Sequence, residues 1–257
     1  MKKKCAVFTI VKNENYFLPK WIKHFSKYFD KSDIYVLDHQ SDDGSTSNLD
    51  VNVIEVFNEL AFDHQWLCNT VQKFQNYLLT KYKTVLFAEA DELVYSKKIN
   101  FCDFLHNFEN SNFNYLTCFG FEIIQNLQKE KPLNFNESII KNRNYWFENP
   151  WYHKTLLSKI PLLWNWGFHS VKNLKPLLHD DLFLCHLHRC DFELMLKRHQ
   201  ERSKWNLKDD GNSGFQHKIF LKEELLNYFN FKAKYQNGFP SPIVEIPLDH
   251  KNILLDI

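Results

Sequence analysis

Three acidic clusters punctuate the first third of the chain, each directly after a run of apolar residues. Lys12-Asn13-Glu14 follows residues 5–11, Asp38 follows residues 33–37, and Glu89-Ala90-Asp91-Glu92 follows residues 84–88. Open α/β sheets bind ligands beyond the carboxyl ends of their strands. If the three runs are neighbouring parallel strands, Glu14, Asp38 and Asp91 meet along one edge. Carboxylates gathered in that way repel one another unless a cation sits among them, and their hard oxygens suit Mg²⁺ or Mn²⁺. A divalent ion there could bridge a diphosphate and take up the charge of a departing nucleotide.

A second cluster lies late in the chain: His179-Asp180-Asp181, then His186-Leu187-His188-Arg189. On a strand over 182–187, His186 and His188 face the same side. Imidazole with carboxylate is a divalent-metal donor set, although no Cys or carboxylate completes a zinc site locally. The alternative is a partly buried His satisfied by backbone groups. Arg189, Arg198 or Lys197 could neutralise a leaving diphosphate. A third cluster is Trp164-Asn165-Trp166-Gly167-Phe168-His169-Ser170. Indole faces suit the apolar face of a sugar, and His169 could position or deprotonate a hydroxyl; an aromatic core turn would read the same way. Lys154 could reach a phosphate. Gln65, Asn69 and Gln72 share one face of a predicted helix and could hydrogen-bond a ligand.

The elements that must carry these residues are legible in the spacing. Residues 5–11, 33–37, 53–57 and 84–88 are short β-branched or apolar runs, as in strands buried on both faces. Residues 15–29 carry Phe17, Leu18, Trp21, Ile22, Phe25 and Phe29 at helical spacing, with Pro19 in the first turn where its missing N–H is harmless. Residues 64–82 place Trp66, Val71, Phe74, Leu78 and Tyr82 on one side of a second helix. The alternation predicts an α/β fold with a mostly parallel sheet flanked by helices. Beyond it, strands are expected at 115–124, 155–160 and 182–187. They flank a long polar stretch at 125–150 and precede a basic amphipathic helix at 191–204. The tail from Gly238, with Pro240, Pro242 and Pro247, is expected to be extended.

Composition narrows the function classes. The 257 residues, 44% of them hydrophobic, suffice for a sizeable core. A net charge of +1 argues against broad nucleic-acid binding, which needs a dense basic surface. The six cysteines form no Cys-x-x-Cys pair, and several sit in apolar runs, as buried reduced thiols do. The apolar run 5–11 is too short for a signal-peptide core or a membrane span. The expected setting is therefore cytoplasmic, with peripheral contact at the inner face of a membrane left open. No P-loop, dinucleotide fingerprint or nucleophile elbow occurs.

The motifs and their order resemble family-2-type glycosyltransferases. Val11-Lys12-Asn13-Glu14 before an amphipathic helix is similar to that family's opening. Asp38-His39-Gln40-Ser41-Asp42-Asp43-Gly44-Ser45 matches its D-x-x-S-x-D-G-[ST] turn. Leu86-Phe87-Ala88-Glu89-Ala90-Asp91-Glu92 is similar to its strand ending in a D-x-D-type motif, with Glu89 where the family usually has Asp. The resemblance covers residues 5–95 well and the rest loosely. It implies a GT-A (Rossmann-like) fold over 1–210, with a nucleotide-binding half (1–95) and an acceptor-binding half (96–210). A helical or extended extension, 211–257, would pack on it. It implies that Glu14 borders the nucleotide, that Asp38 accepts from base or ribose, and that Asp43 shapes the turn or touches the nucleotide. Asp43 could equally cap the helix that follows. Asp91 would bind Mn²⁺ or Mg²⁺, with His186 or His188 as a late metal ligand. Glu89, Gln65, Asn69, Lys154 and Arg189 are the other donor-side candidates, and His169 and Asp181 the candidate bases.

The implied activity is metal-dependent, inverting transfer of a hexosyl group from a UDP- or GDP-sugar to a saccharide or glycolipid acceptor, as in surface polysaccharide or lipooligosaccharide assembly. A sugar nucleotidyltransferase would carry a Gly-rich loop with Arg and Lys after the first strand, which Lys12-Asn13-Glu14 is not. A binding module that keeps the fold but not the chemistry is the other alternative, favoured by Glu89.

Overall fold

The computed structural model describes residues 3–134, 136–209, 214, 218–230, 242–255 and 257. The first apolar run becomes β1 (Lys3–Val11), buried continuously from Ala6 to Thr9 as suits a central parallel strand. Helix α1 (Phe17–Phe25) buries Phe17, Leu18, Trp21 and Phe25. Strand β2 (Ile34–Asp38) and β3 (Asn52–Glu55) follow. Helix α2 (His64–Lys81) is capped by Asp63, whose carboxylate accepts from the N–H groups of Gln65 and Trp66. Strand β4 (Tyr82–Phe87) closes the unit. β1 pairs in parallel with β2 and with β4, and β2 with β3. The predicted parallel half is thus present, in the order β4-β1-β2-β3.

The other half of the sheet is largely antiparallel. The remaining elements are β5 (Glu92–Ser96), α3 (Phe101–Asn110), β6 (Tyr115–Ile124), α4 (Ile139–Asn142), β7 (Tyr145–Glu148) and β8 (Thr155–Ser158). Then come β9 (Leu178–Arg189), α5 (Phe192–Arg202), α6 (Lys222–Phe229), β10 (Val244–Glu245) and α7 (Leu248–Leu254). The sheet runs β10-β7-β6-β8-β4-β1-β2-β3, with β9 paired in parallel to β6 and antiparallel to β5. The fold is therefore α/β, its mixed sheet flanked by helices. Four elements exceed the sequence reading: β5, α3, and the pair α4 and β7 inside the stretch expected to be polar connection.

The chain after residue 210 contributes to the same body where it is described. α6 buries Leu225 and Phe229 beside α5, and β10 extends the sheet edge at β7. The proline-containing tail is not simply extended: α7 forms after Pro247 and buries His250 and Leu254. Gly238, Pro240 and the start of the expected extended tail lie outside the described residues. Among the described residues no helix is long and apolar enough to cross a membrane.

Candidate active site

The rim at the carboxyl ends of β1, β2 and β4 is assembled by pairing register. Val11 lies opposite Asp38, and Phe8 lies opposite Phe87, so the three segments that follow leave the sheet side by side. The loop after β1 and the turn after β2 lock together: the Asn13 amide donates to Ser41 Oγ at 3.0 Å, and the Asn13 side chain pairs with Asp42 in both directions. Asn13 and Gln40 take positive φ, 56° and 54°, to make this contact. Lys12 Nζ donates to the carbonyls of His39 and Gln40 at 3.2 and 3.0 Å.

Glu14 and Asp91 converge, and a cation does sit between them: a guanidinium. Arg198 donates to Glu14 Oε1 at 2.6 Å and to Asp91 Oδ2 at 3.2 Å, and Arg202 also donates to Glu14 Oε1. Both arginines project from α5, one turn apart. Arg198 lies over the Phe17 ring at 4.5 Å and Arg202 over Trp205 at 5.3 Å. Burial alone would raise the Asp91 carboxyl, but His186, Arg198 and Arg202 outweigh it and hold it down at about 2. Glu14, Asp91, Arg198 and Arg202 line a cleft of about 120 Å³, with Ile10, Val11, His39, Phe62, Glu89 and Trp205 among its other walls.

His186, on β9, stands beside Asp91 without itself lining the cleft. Its place is set twice: Glu92 pairs with His186 across β5 and β9, and the Leu187 amide donates to the Asp91 carbonyl at 2.9 Å. Its Nε2 lies 3.8 Å from Asp91 Oδ1, beyond hydrogen-bond distance. Its Nδ1 lies 3.0 Å from Glu122 Oε1, and the ring stacks on Tyr152 at 4.0 Å between centroids. Glu122 is fully buried and also accepts from the backbone and side chain of Arg189, at 3.1 and 2.8 Å. Desolvation would lower the imidazole, yet Glu122 and Asp91 raise it above its ordinary value. Desolvation would likewise raise Glu122, yet His186 and Arg189 lower it.

Of the two late histidines only His186 faces an acid. His188 shares its face, as the strand period requires, but lies near Arg198 and Arg189, with its Nε2 3.5 Å from His199 Nε2. Burial together with Arg198 and Arg189 pushes it far down. Among the described residues no group of three or more His, Cys, Asp or Glu is arranged around one point as a complete metal cage. The Asp91–His186 pair is nonetheless a fit for two ligands of an ion that takes its remaining ligands from phosphate and water, as Mg²⁺ and Mn²⁺ commonly do. The imidazole is oriented through its other nitrogen by a buried carboxylate, the arrangement usual for a metal-ligating His.

The remaining sequence candidates divide sharply. Glu89 lines the cleft, but its Oε2 lies 2.6 Å from Lys154 Nζ, which also lies 2.6 Å from the fully buried Glu92. Lys154 is thus a buried counter-ion to two acids, its basicity raised by Glu89 and Glu92 against the effect of burial, rather than a free phosphate ligand. Arg189 is likewise committed to Glu122. Asp38 sits at the rim with both oxygens engaged by its own turn, from the Ser41 amide at 2.9 Å and Thr46 Oγ1 at 2.7 Å. Asp43 is exposed and accepts from the Ser45 amide at 2.9 Å, so it shapes the turn.

Asp181 is not brought to the cleft. It lies at the opposite end of β9 from His186, where its carboxylate accepts from Ser96 Oγ and from the amides of Lys97 and Lys98. As a buried cap of the turn after β5 it has no route to a reacting hydroxyl.

His169 lines neither the cleft nor the cavity beside Gln65. Its Nδ1 is 2.6 Å from the Trp151 carbonyl, so that nitrogen carries the proton and Nε2 the lone pair. Burial and the nearby Lys154 lower it to about 4, which makes it a neutral hydrogen-bond acceptor and a weak base. Gln65 and Asn69 pair with each other at 2.9 Å. Gln65 lines a second cavity of about 320 Å³ together with Trp164, Asn165, Trp166 and Lys172. Trp164 itself is core, its indole N–H donating to the Thr155 carbonyl. Trp166 is 42% exposed and stacks on His64 at 5.4 Å.

Three contributors escaped the sequence reading: Glu122, Arg202 and Gly120. Glu122 had a signal, since a carboxylate inside an apolar strand must have a buried partner. Gly120 had none: a Cβ there would come within 2.2 Å of the Tyr152 carbonyl oxygen, so only glycine lets the Tyr152 backbone approach β6 and place its ring on His186.

No family model matches the chain, and no curated protein does. Among solved structures the chain is similar to the apo form of WbbM, a bifunctional glycosyltransferase, with 13% identity and a TM-score of 0.29. The alignment covers 50% of this chain and 24% of that one, so the chain spans about a quarter of that protein's length.

Proposed function

We propose that this protein is a GT-A-type glycosyltransferase that uses a UDP- or GDP-sugar and Mn²⁺ or Mg²⁺. The observation that carries the reading is the approach of a Glu122-oriented His186, Nε2 3.8 Å from Oδ1, to Asp91, which lines the cleft beyond a central parallel strand. Charge supports it. The cleft walls carry Lys12, Arg198 and Arg202 against Glu14, Glu89 and Asp91, so they hold no surplus positive charge for a diphosphate. A divalent cation closes that balance.

Asp91 and His186 would hold the ion, which supplies charge neutralisation to the leaving diphosphate. Glu122 fixes the imidazole so that Nε2 presents its lone pair. The bond between the anomeric carbon and the diphosphate oxygen would break with its electrons passing to the nucleotide, and an acceptor hydroxyl would form the new bond from the opposite face, its proton passing to a base or to water. His169, its Nδ1 held at the Trp151 carbonyl, would accept a hydrogen bond from that hydroxyl through Nε2. The turn that supplies Phe168 to the donor cleft supplies Trp166 to the second cavity, where a saccharide face would lie on the indole. Inverting hexosyl transfer to a glycan or glycolipid in surface polysaccharide or lipooligosaccharide assembly follows the sequence resemblance, as does a cytoplasmic setting with peripheral membrane contact.

Thermal denaturation with UDP or GDP, with and without Mn²⁺, tests the reading. Metal-dependent stabilisation by one nucleoside diphosphate, absent in Asp91→Ala, is the expected result. Hydrolysis of a nucleotide-sugar panel then separates a transferase from a binding module. A wild type indifferent to every nucleotide in the presence of Mn²⁺ removes the proposal.

A further inference from the structure

The donor cleft is too small for its proposed ligand. Sites for ligands of nucleotide size run from about 300 to 1,000 Å³, whereas this one measures about 120 Å³. Arg198 and Arg202 of α5 are among the side chains that line it. Arg198 and Arg202 are both largely buried, 10% and 16% exposed in their side chains, and both end on the single oxygen Glu14 Oε1. Two guanidiniums on one carboxylate oxygen is an arrangement better suited to a more highly charged anion, since each planar fork can take two oxygens. Arg198 is anchored by Phe17 beneath it. Arg202 rests on Trp205, in the segment that crosses to the loop before α2 through the Ala61 amide on the Asn206 carbonyl and the Lys208 amide on the Phe62 carbonyl, at 2.9 and 3.0 Å.

We propose that Arg198 and Arg202 form the diphosphate clamp and that Glu14 is its internal stand-in anion, which the diphosphate displaces. Glu14 then holds two buried cations in place while no substrate is bound and surrenders them when the donor arrives. This rests on the transferase reading for the identity of the ligand, and it gives Glu14 a role opposite to direct nucleotide binding. The sign of one substitution separates the two. Were Glu14 a nucleotide ligand, Glu14→Gln would weaken binding. As a competing anion, its neutralisation strengthens binding, because one negative charge a few ångströms from the diphosphate is removed in a partly desolvated site.

The experiment titrates UDP, GDP and inorganic pyrophosphate into the full chain with Mg²⁺, by calorimetry and by tryptophan fluorescence, with circular dichroism as the fold control. Glu14→Gln is expected to bind the preferred nucleoside diphosphate and pyrophosphate about tenfold more tightly. Arg202→Gln is expected to bind both at least tenfold more weakly, with Arg202→Lys between, and to leave the nucleoside without phosphates unaffected. Weaker or unchanged binding by folded Glu14→Gln overturns the stand-in role. Unchanged binding by Arg202→Gln overturns the clamp while leaving the transferase reading intact. Pyrophosphate binding without any nucleotide binding supports the clamp and sinks the transferase reading, and a wild type that binds neither overturns both.

Discussion

Replacing Glu122 by Gln tests the link between the buried network and the cleft. Glu122 is fully buried and receives three donors: the His186 ring, the Arg189 amide and the Arg189 guanidinium. Glutamine keeps the shape but removes the charge, and its amide N–H₂ faces groups that are themselves donors. Arg189 remains buried, left with Tyr152 and the Tyr228 ring 5.1 Å away but no carboxylate. Breaking one side of a buried ion pair costs about 3–5 kcal/mol, and at this chain length each kcal/mol moves the midpoint by about 2–4 °C. A fall of roughly 10 °C in metal-free thermal denaturation is expected.

The same change frees the His186 ring, and loss of such an orienting carboxylate lowers metal affinity by about 10–100-fold. In the wild type, metal must displace a proton from an imidazole raised above its ordinary value, so Mn²⁺ affinity climbs with pH through the range where His186 titrates. In Glu122→Gln that titration moves to lower pH. Calorimetric titration of Mn²⁺ between pH 6 and 8 reads both effects. A variant that melts within about 2 °C of wild type, or binds Mn²⁺ equally well with the same pH dependence, refutes the chain of reasoning from Glu122 through His186 to the ion.

The other expectations concern the same network. His188→Ala should retain Mn²⁺ affinity within about threefold while His186→Ala loses at least tenfold, since a single ligand is worth more than the carboxylate behind it; equal losses in calorimetry would return the choice of histidine to open. Gly120→Ala forces the Tyr152 backbone away from β6 and should cost about 1–3 kcal/mol as an overpacking change, read as a lower urea midpoint with weaker Mn²⁺ binding; a neutral result would mean that Tyr152 does not position His186. On acidification, Asp91 (about 2) and Glu122 (also depressed) contribute stability that is complete above the ordinary carboxylate range and is lost as pH falls from about 4 towards 2. Glu92, raised by burial, acts in the opposite sense. The Asp91 share is at most about 2.5 kcal/mol, and Asp91→Asn should flatten the fall in urea midpoint between pH 5 and 3; an unaltered slope would show that Asp91 is not held down by its cationic neighbours.

What the chain's sequence determined by itself was the parallel half and its acidic rim. Central parallel strands are continuous apolar runs, amphipathic helices repeat at 3.6 residues, and the turn from Asp38 to Ser45 is built by its own side chains, so all of these are local in sequence. Glu14 and Asp91 therefore came out on one cleft, while Asp38 ends the neighbouring strand without lining it. Tertiary structure alone decided what each acid does there. Asp38 spends its oxygens on its own turn, and Glu14 on two arginines more than 180 residues away in sequence. Glu89 is spent on Lys154, and Asp181 on a turn at the far end of β9. His186 and His188 are indistinguishable by strand period. The pairing of β9 with β5 and β6 separates them, because that register sets one imidazole between Asp91 and Glu122 and the other near Arg198 and Arg189. Long-range register follows from which faces can be buried together across the whole sheet, a condition no local window of the sequence contains.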